Sequence, residues 1–194
     1  MNDQKIKLAI GFSSLPGGGK DFVGDLLVQK YGFYKISPGD IIRSLTKKHG
    51  KPVTREEETR IQKRYKEKYG KEYVMLLTYK AAIKSGKKYI AISGIRYPSD
   101  YRFFKERLGN RFVNIFVKAD KKVRFRRIIE RAREDAPKSY REFLREDREE
   151  IRTFNLNETE RLSEFTISNN DGKKELEKQI TKIMNKLKPH FSSK

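Results

Sequence analysis

Short apolar runs alternate with longer, mostly polar stretches along this chain of 194 residues. The runs Lys5–Phe12 (KIKLAIGF), Phe33–Ser37 (FYKIS), Lys88–Ser93 (KYIAIS), Arg111–Val117 (RFVNIFV) and Glu164–Ser168 (EFTIS) are rich in β-branched and aromatic residues. Each has the length of one strand. Between them, apolar residues recur at helical spacing. Phe22, Val23, Leu26 and Leu27 predict a helix over Asp21–Lys30 that Gly32 stops. Pro38, Gly39 and Asp40 read as a turn whose aspartate caps a helix over Ile41–Lys48. Gly50–Thr54 is a break, and two polar helices follow over Arg55–Lys68 and Lys71–Lys84, parted by Gly70. Further helices are predicted over Ser99–Leu108, over Lys121–Arg152 on both sides of a loop at Ala136 and Pro137, and over Lys173–Leu187. The last residues, Ser192–Lys194, read as a frayed end.

Strands alternating with helices predict one α/β domain on a parallel sheet of five strands, with helices on both faces. Ligands of such sheets bind at the carboxyl ends of the strands. That rule gathers the turns at Ser13–Gly19, Pro38–Arg43, Gly94–Arg96 and Asn169–Gly172 on one rim.

The first of these turns carries chemistry. Ser14, Leu15, Pro16, Gly17, Gly18 and Gly19 lead from the first strand into Lys20, Asp21 and Phe22 at the start of the first helix. Strand, glycine-rich loop, lysine and helix make the layout of a P-loop. Glycines let amides turn inward around a phosphate, the lysine neutralises charge, and the helix start adds a favourable dipole. Two positions depart from the usual pattern: Ser14 replaces the first glycine, and Asp21 follows the lysine instead of Ser or Thr.

Composition narrows the chemistry. The absence of cysteine excludes disulfides, thiolate metal sites and a cysteine nucleophile. With only His49 and His190, neither a histidine-cluster metal site nor a Ser-His-Asp triad is available. No stretch is apolar enough to span a membrane and no signal-peptide pattern opens the chain, so a cytoplasmic protein is expected. The net charge of +20 favours anionic partners, either small phosphorylated molecules or nucleic acid. No zinc-finger or aromatic RNA-binding signature accompanies it.

After the first helix and second strand, Ile36-Ser37-Pro38-Gly39-Asp40-Ile41-Ile42-Arg43 spells I-S-x-G-D-x-x-R, and Ser93-Gly94-Ile95-Arg96 closes the next strand. Arg145, Asp147 and Glu150 form R-x-D-x-x-E. In these features the chain resembles the nucleoside monophosphate kinases, the adenylate kinase-like family, over Lys5–Leu187. The stretch Gly19-Lys20-Asp21-Phe22-Val23 is also similar to the loop of animal-type phosphomevalonate kinases, and Gly-Lys-Asp to that of phage-type deoxynucleotide kinases. The order of motifs resembles uncharacterised archaeal and bacterial kinase-like proteins as well, some of them labelled as similar to dephospho-coenzyme A kinases.

The resemblance implies a three-layer P-loop kinase fold with a core (1–37, 87–120, 160–188), a helical acceptor-binding insertion (38–86) and an arginine-rich lid (121–159). It implies transfer of the γ-phosphate of Mg²⁺·ATP to a small phosphorylated acceptor. A (deoxy)nucleoside monophosphate stands first, a mevalonate phosphate second and dephospho-coenzyme A third.

Phosphoryl transfer needs alignment and charge neutralisation more than covalent chemistry. The loop from Ser14 to Phe22 would hold the nucleotide phosphates, with Lys20 catalytic and Asn170 and Gly172 beside the base. The usual magnesium pair is exchanged: a carboxylate, Asp21, sits on the P-loop helix, and a hydroxyl, Ser93, ends the strand where an acid is expected. Asp21 and Ser93 are therefore the candidate metal residues. Arg43 and Arg96, with Gly94, would grip the acceptor phosphate, and Asp40 would orient a hydroxyl if the acceptor were an alcohol. Arginines crowd the lid at 124, 126, 127, 131, 133, 141, 145, 148 and 152, and helical geometry forbids all of them from facing one ligand. Arg127, Arg131 and Arg145 are the preferred closing residues. A nucleic-acid-associated ATPase and a regulatory P-loop protein without turnover are the readings from other classes.

Overall fold

The computed structural model describes residues 4–131 and 136–189. Arg133, His190 and Ser192–Lys194 lie outside the described residues. The sheet holds five strands: β1 (Leu8–Ser14), β2 (Tyr34–Ile36), β3 (Tyr89–Ser93), β4 (Phe112–Lys118) and β5 (Phe165–Ser168). They run in the order β2-β3-β1-β4-β5, and every neighbouring pair is parallel. Parallel neighbours need crossovers, and the helices supply them.

β1 is central and apolar because both its faces are covered. Leu8, Ile10 and Phe12 point into one core with Val23, Leu27, Leu176 and Ile180, which come from α1 (Lys20–Tyr31) and α9 (Lys173–Lys186). Ala9 points the other way, into a core with Ile90, Ile92, Phe103, Phe104 and Phe112. There α5 (Pro98–Leu108) and α4 (Tyr73–Lys84) close the second layer. The chain leaves β1 toward β2 on one side and reaches β4 only later on the other. This reversal opens a crevice at the carboxyl end of β1, where ligands of doubly wound sheets bind. The fold is the three-layer α/β arrangement expected of a P-loop kinase.

Three local readings need correction. The strand opening the chain runs Leu8–Ser14 and not Lys5–Phe12, so Ser13 and Ser14 belong to the sheet. The helix expected over Ile41–Lys48 is α2, Pro38–Lys48. Its cap is Ser37, whose hydroxyl accepts from Asp40 N at 3.0 Å, while the Asp40 carboxylate accepts from Ser37 N at 2.9 Å. Asp40 is thus the third helical residue of a capping box, not the cap itself. A proline can open a turn, but its fixed φ suits the first position of a helix equally well, and Pro38 takes that place.

The third correction is an added element. The polar segment α3 (Arg55–Tyr69) and the arginine-dense α6 (Lys121–Glu130) and α7 (Tyr140–Phe154) form near where expected, but α8 (Leu156–Leu162) follows them unannounced. It begins at Asn155, whose φ of 50° is left-handed. Its Ser163 end is tied to the sheet: buried Asn114 donates to Ser13 Oγ at 2.9 Å and to Ser163 Oγ at 2.7 Å. Among the described residues no helix is long and apolar enough to cross a membrane.

Candidate nucleotide and acceptor site

The P-loop leaves β1 at Ser14 and enters α1 at Lys20. Gly17 and Gly19 have φ of 78° and 96°, which a side chain at either position would strain. Space forbids side chains there too. A Cβ on Gly17 would lie 2.7 Å from the backbone oxygen of Arg124, and one on Gly19 would run into Asn169 Nδ2. The first helical hydrogen bonds of α1 go from Phe22 and Val23 to Gly19 O. The amides of Gly19, Lys20 and Asp21 are the donors that a helix start leaves for an outside acceptor.

The loop is held from outside by residues that the sequence had not singled out for this task. Arg124 is buried and donates to Asp147 through Nη1 (2.6 Å) and Nη2 (3.0 Å), to Ala119 O through Nε (3.0 Å) and to Pro16 O (3.3 Å). Asn169 Nδ2 donates to Gly18 O at 2.8 Å. Arg127 reaches over the loop, with Nη1 3.5 Å from Gly17 O and Nη2 3.4 Å from Asn169 Oδ1. Burial, then repulsion from Arg126 and Arg131, lowers the Arg127 pKa from its ordinary value. Phe22 packs against the core beside the loop and carries the Lys173 ammonium 5.5 Å from its ring centre. No sequence signal separates Arg124 from its arginine neighbours; only the tertiary contact does.

Lys20, Asp21 and Ser93 meet. Lys20 Nζ lies 3.1 Å from Asp21 Oδ1, and Ser93 Oγ donates to the same oxygen at 3.0 Å. Partial burial works against ionising Asp21, but Lys20, the Ser93 hydroxyl and Lys35 outweigh it and hold its pKa below the ordinary aspartate value. The residues expected to exchange places in a magnesium site therefore touch, and the carboxylate among them is anionic at neutral pH. Among the described residues no group of three or more acidic or histidine side chains could hold a metal unaided. An oxygen set of one carboxylate and one hydroxyl suits Mg²⁺ whose other ligands are phosphate oxygens and water.

The residues expected on the acceptor side come from the ends of the two strands beyond. Gly94 (φ 105°) and Ile95 both donate to Phe12 O, at 3.0 and 3.1 Å, which fixes the turn after β3 against β1. Arg96 follows. Its Nη2 pairs with Glu150 of α7, and its guanidinium lies 3.7 Å above the ring centre of Phe154. Burial lowers the Arg96 pKa and the neighbouring charge of Arg55 adds to this, against Tyr97 and Asp100. Arg43 Nη2 donates to Asp40 Oδ1 at 2.5 Å, and Ser37 Oγ donates to Asp40 Oδ2 at 2.7 Å.

Not all predicted residues converge. Arg131 caps the end of α6 and is exposed. Arg145 pairs with Glu142 at 3.7 Å with 64% of its side chain exposed. It is roughly 200° round α7 from the inward Asp147. Asn170 accepts from Asp120 N at 2.8 Å, tying the turn after β5 to the start of α6, and Gly172 begins α9 with a φ of 86°.

Comparison with known proteins agrees with this architecture. The AAA domain family matches residues 13–145. UPF0200 protein PH1008 from Pyrococcus horikoshii is 32% identical over 176 residues, covering 89% of this chain and 94% of its own. A UPF0200 protein from Methanothermobacter thermautotrophicus is 32% identical over 181 residues, covering 93% and 90%. Among solved structures, shikimate kinase from Acinetobacter baumannii in complex with shikimate superposes with a TM-score of 0.59 at 16% identity, covering 93% of this chain and 94% of that one. TT1252 from Thermus thermophilus gives 0.61 at 17% identity, covering 93% and 97%. The chain belongs to the UPF0200 family and carries an AAA-family P-loop domain on a kinase-like fold.

Proposed function

We propose that the protein is an ATP-dependent small-molecule kinase, transferring the γ-phosphoryl group of Mg²⁺·ATP to a small acceptor that already bears a phosphate. A (deoxy)nucleoside monophosphate is the acceptor of first choice, on the Ile36–Arg43 motif; a mevalonate phosphate and dephospho-coenzyme A follow it. One observation carries the reading. The Lys20–Asp21–Ser93 cluster stands at the ends of β1 and β3, and the turn leaving β3 delivers Arg96 to the same rim within three residues.

In this reading Lys20 and the amides of Gly19 to Asp21 bind the β- and γ-phosphates. Asp21 and Ser93 would hold the magnesium ion, which would supply charge neutralisation for the phosphates. Lys20 then exchanges its carboxylate partner for phosphate oxygen. Arg96 and Arg43 bind the acceptor's own phosphate, and Arg127 lies over the loop to exclude water from the transferring group. A phosphate acceptor ionised at neutral pH needs no general base, so Asp40 serves to orient Arg43.

The test is ADP release with Mg²⁺·ATP against nucleoside and deoxynucleoside monophosphates, phosphomevalonates and dephospho-coenzyme A. One acceptor should give turnover that Lys20→Ala reduces by about 10²–10³-fold, the scale for removing a donor to developing charge. Asp21→Ala should raise the magnesium concentration needed for half-maximal rate. Lys20-independent turnover, or none with any acceptor despite tight ATP binding, would refute the kinase reading.

A further inference from the structure

We propose that Phe154 and Glu150 on α7 are positioning residues for the acceptor phosphate: Phe154 presents the Arg96 guanidinium flat, and Glu150 occupies its binding edge until a phosphate displaces it. This rests on Arg96 being an acceptor-phosphate ligand, as read above.

The geometry divides Arg96 into a fixed part and an exchangeable part. Its backbone is held on both sides. Arg96 N and Tyr97 N donate to Asp100 Oδ2 at 3.1 and 2.9 Å, and Arg96 O accepts from Thr159 Oγ1 at 3.1 Å. The Tyr97 ring packs 4.8 Å from Phe154 and carries the Lys66 ammonium 5.3 Å from its centre. Four helices, α3, α5, α7 and α8, thus converge on one dipeptide.

The guanidinium beyond this clamp lies over the Phe154 ring, so cation–π attraction fixes its plane. A stacked guanidinium has only its in-plane N–H edges left for an anion. One of those edges is taken by Glu150. A carboxylate and a phosphate present oxygens to that fork in the same way, so one can replace the other. The pair is also placed for exchange: 45% of the Arg96 side chain is exposed and 21% of Glu150. A pair with one partner nearly half exposed opens at less cost than a buried one. Glu150 keeps Arg96 neutralised and in line while the acceptor is absent, and leaves toward solvent when it arrives.

Inorganic phosphate is the probe. It is titrated calorimetrically into protein whose P-loop is filled with the magnesium complex of a non-hydrolysable ATP analogue, so that only the acceptor side is open. Arg96→Lys should weaken phosphate binding at least tenfold. Glu150→Gln, which removes the internal competitor, should tighten it about three- to fivefold. Phe154→Leu should weaken it about three- to tenfold, and Phe154→Tyr should restore it. A purely structural clamp would lose affinity with both the Glu150 and the Phe154 changes, so the opposite signs decide the matter. If Arg96→Lys abolishes binding while Glu150→Gln weakens it or leaves it unchanged, the displacement idea is overturned and the acceptor reading stands. If phosphate binding is absent throughout or indifferent to Arg96→Lys, the acceptor reading of Arg96 falls and this proposal with it.

Discussion

Two of the arginine–carboxylate pairs on helix α7 stand on adjacent turns, and they are opposites. Asp147 and Arg124 are each 2% exposed, joined by two hydrogen bonds, and Arg124 spends further donors on two backbone carbonyls. Glu150 and Arg96 share one contact at the edge of the crevice, 21% and 45% exposed. The charges are the same, and three positions separate the two acids. Burial decides the rest. A guanidinium whose donors are nearly all used inside the protein is not available to a ligand; it holds the phosphate loop in place. One that is stacked, half-solvated and singly paired can change partners. In a chain with this many arginines, burial and not charge separates the two kinds of pair.

The comparison breaks most visibly at Arg124. Arg124→Met leaves the Asp147 carboxylate buried without a partner, which should cost about 3–5 kcal/mol in urea unfolding. The double change Arg124→Met/Asp147→Leu should recover most of that loss, because an apolar pair of similar volume avoids the desolvation penalty. It should not recover nucleotide affinity, because Pro16 O still lacks its donor. A single-variant cost below about 1 kcal/mol would mean that the buried pair behaves like a surface one.

Asn169→Ala comes next. The lost bond leaves Gly18 O unsatisfied under the loop, a cost of about 1–2 kcal/mol. Binding of a fluorescent ATP analogue should weaken along with stability, since the same carbonyl sets the loop's shape. Glu150→Gln is the counterpart on the solvated side. It should shift stability by less than about 1 kcal/mol, and the difference should shrink further in high salt. Thermal unfolding at low and high ionic strength measures both.

What the sequence could show follows the same division between local and tertiary causes. The strands and the phosphate loop were legible because their causes are local: an unbroken apolar run such as Leu8–Phe12 has nowhere to go but the interior, and consecutive glycines before a lysine do one job well. Asp21 and Ser93 were legible as a pair because each stood where the other's chemistry was expected, and the structure puts them 3.0 Å apart. Helix α8 was not legible. Its seven residues bury only Leu156 and Thr159, too few to set a period, and a left-handed asparagine starts it in place of an ordinary cap. Nor could sequence rank the arginines. Arg124 and Arg127 hydrogen-bond to the loop while Arg131 ends the helix exposed, although all three sit on or beside one helix.

A third pair, Asp40 with Arg43, sharpens the comparison at its weak end. The two side chains are 49% and 47% exposed, yet Asp40 also closes a capping box and so has a structural duty that Glu150 lacks. Partial burial raises its pKa, but the Ser37 hydroxyl and the Arg43 guanidinium outweigh that and hold it below the ordinary aspartate value. A carboxylate whose folded pKa is depressed contributes stability above its unfolded pKa, about 4, and loses it as the pH falls through the lower folded value. Asp40→Asn should therefore be less stable than the parent at pH 7, with solvent screening keeping the gap under about 1 kcal/mol. The gap should close as the pH drops below 4. Urea midpoints of both proteins at pH 7, 5 and 3 measure this. A gap independent of pH would show that the neutral amide caps α2 differently but that the Asp40 charge does nothing for stability. The Asp40–Arg43 contact would then belong with Glu150–Arg96, among the solvated pairs that add little to stability.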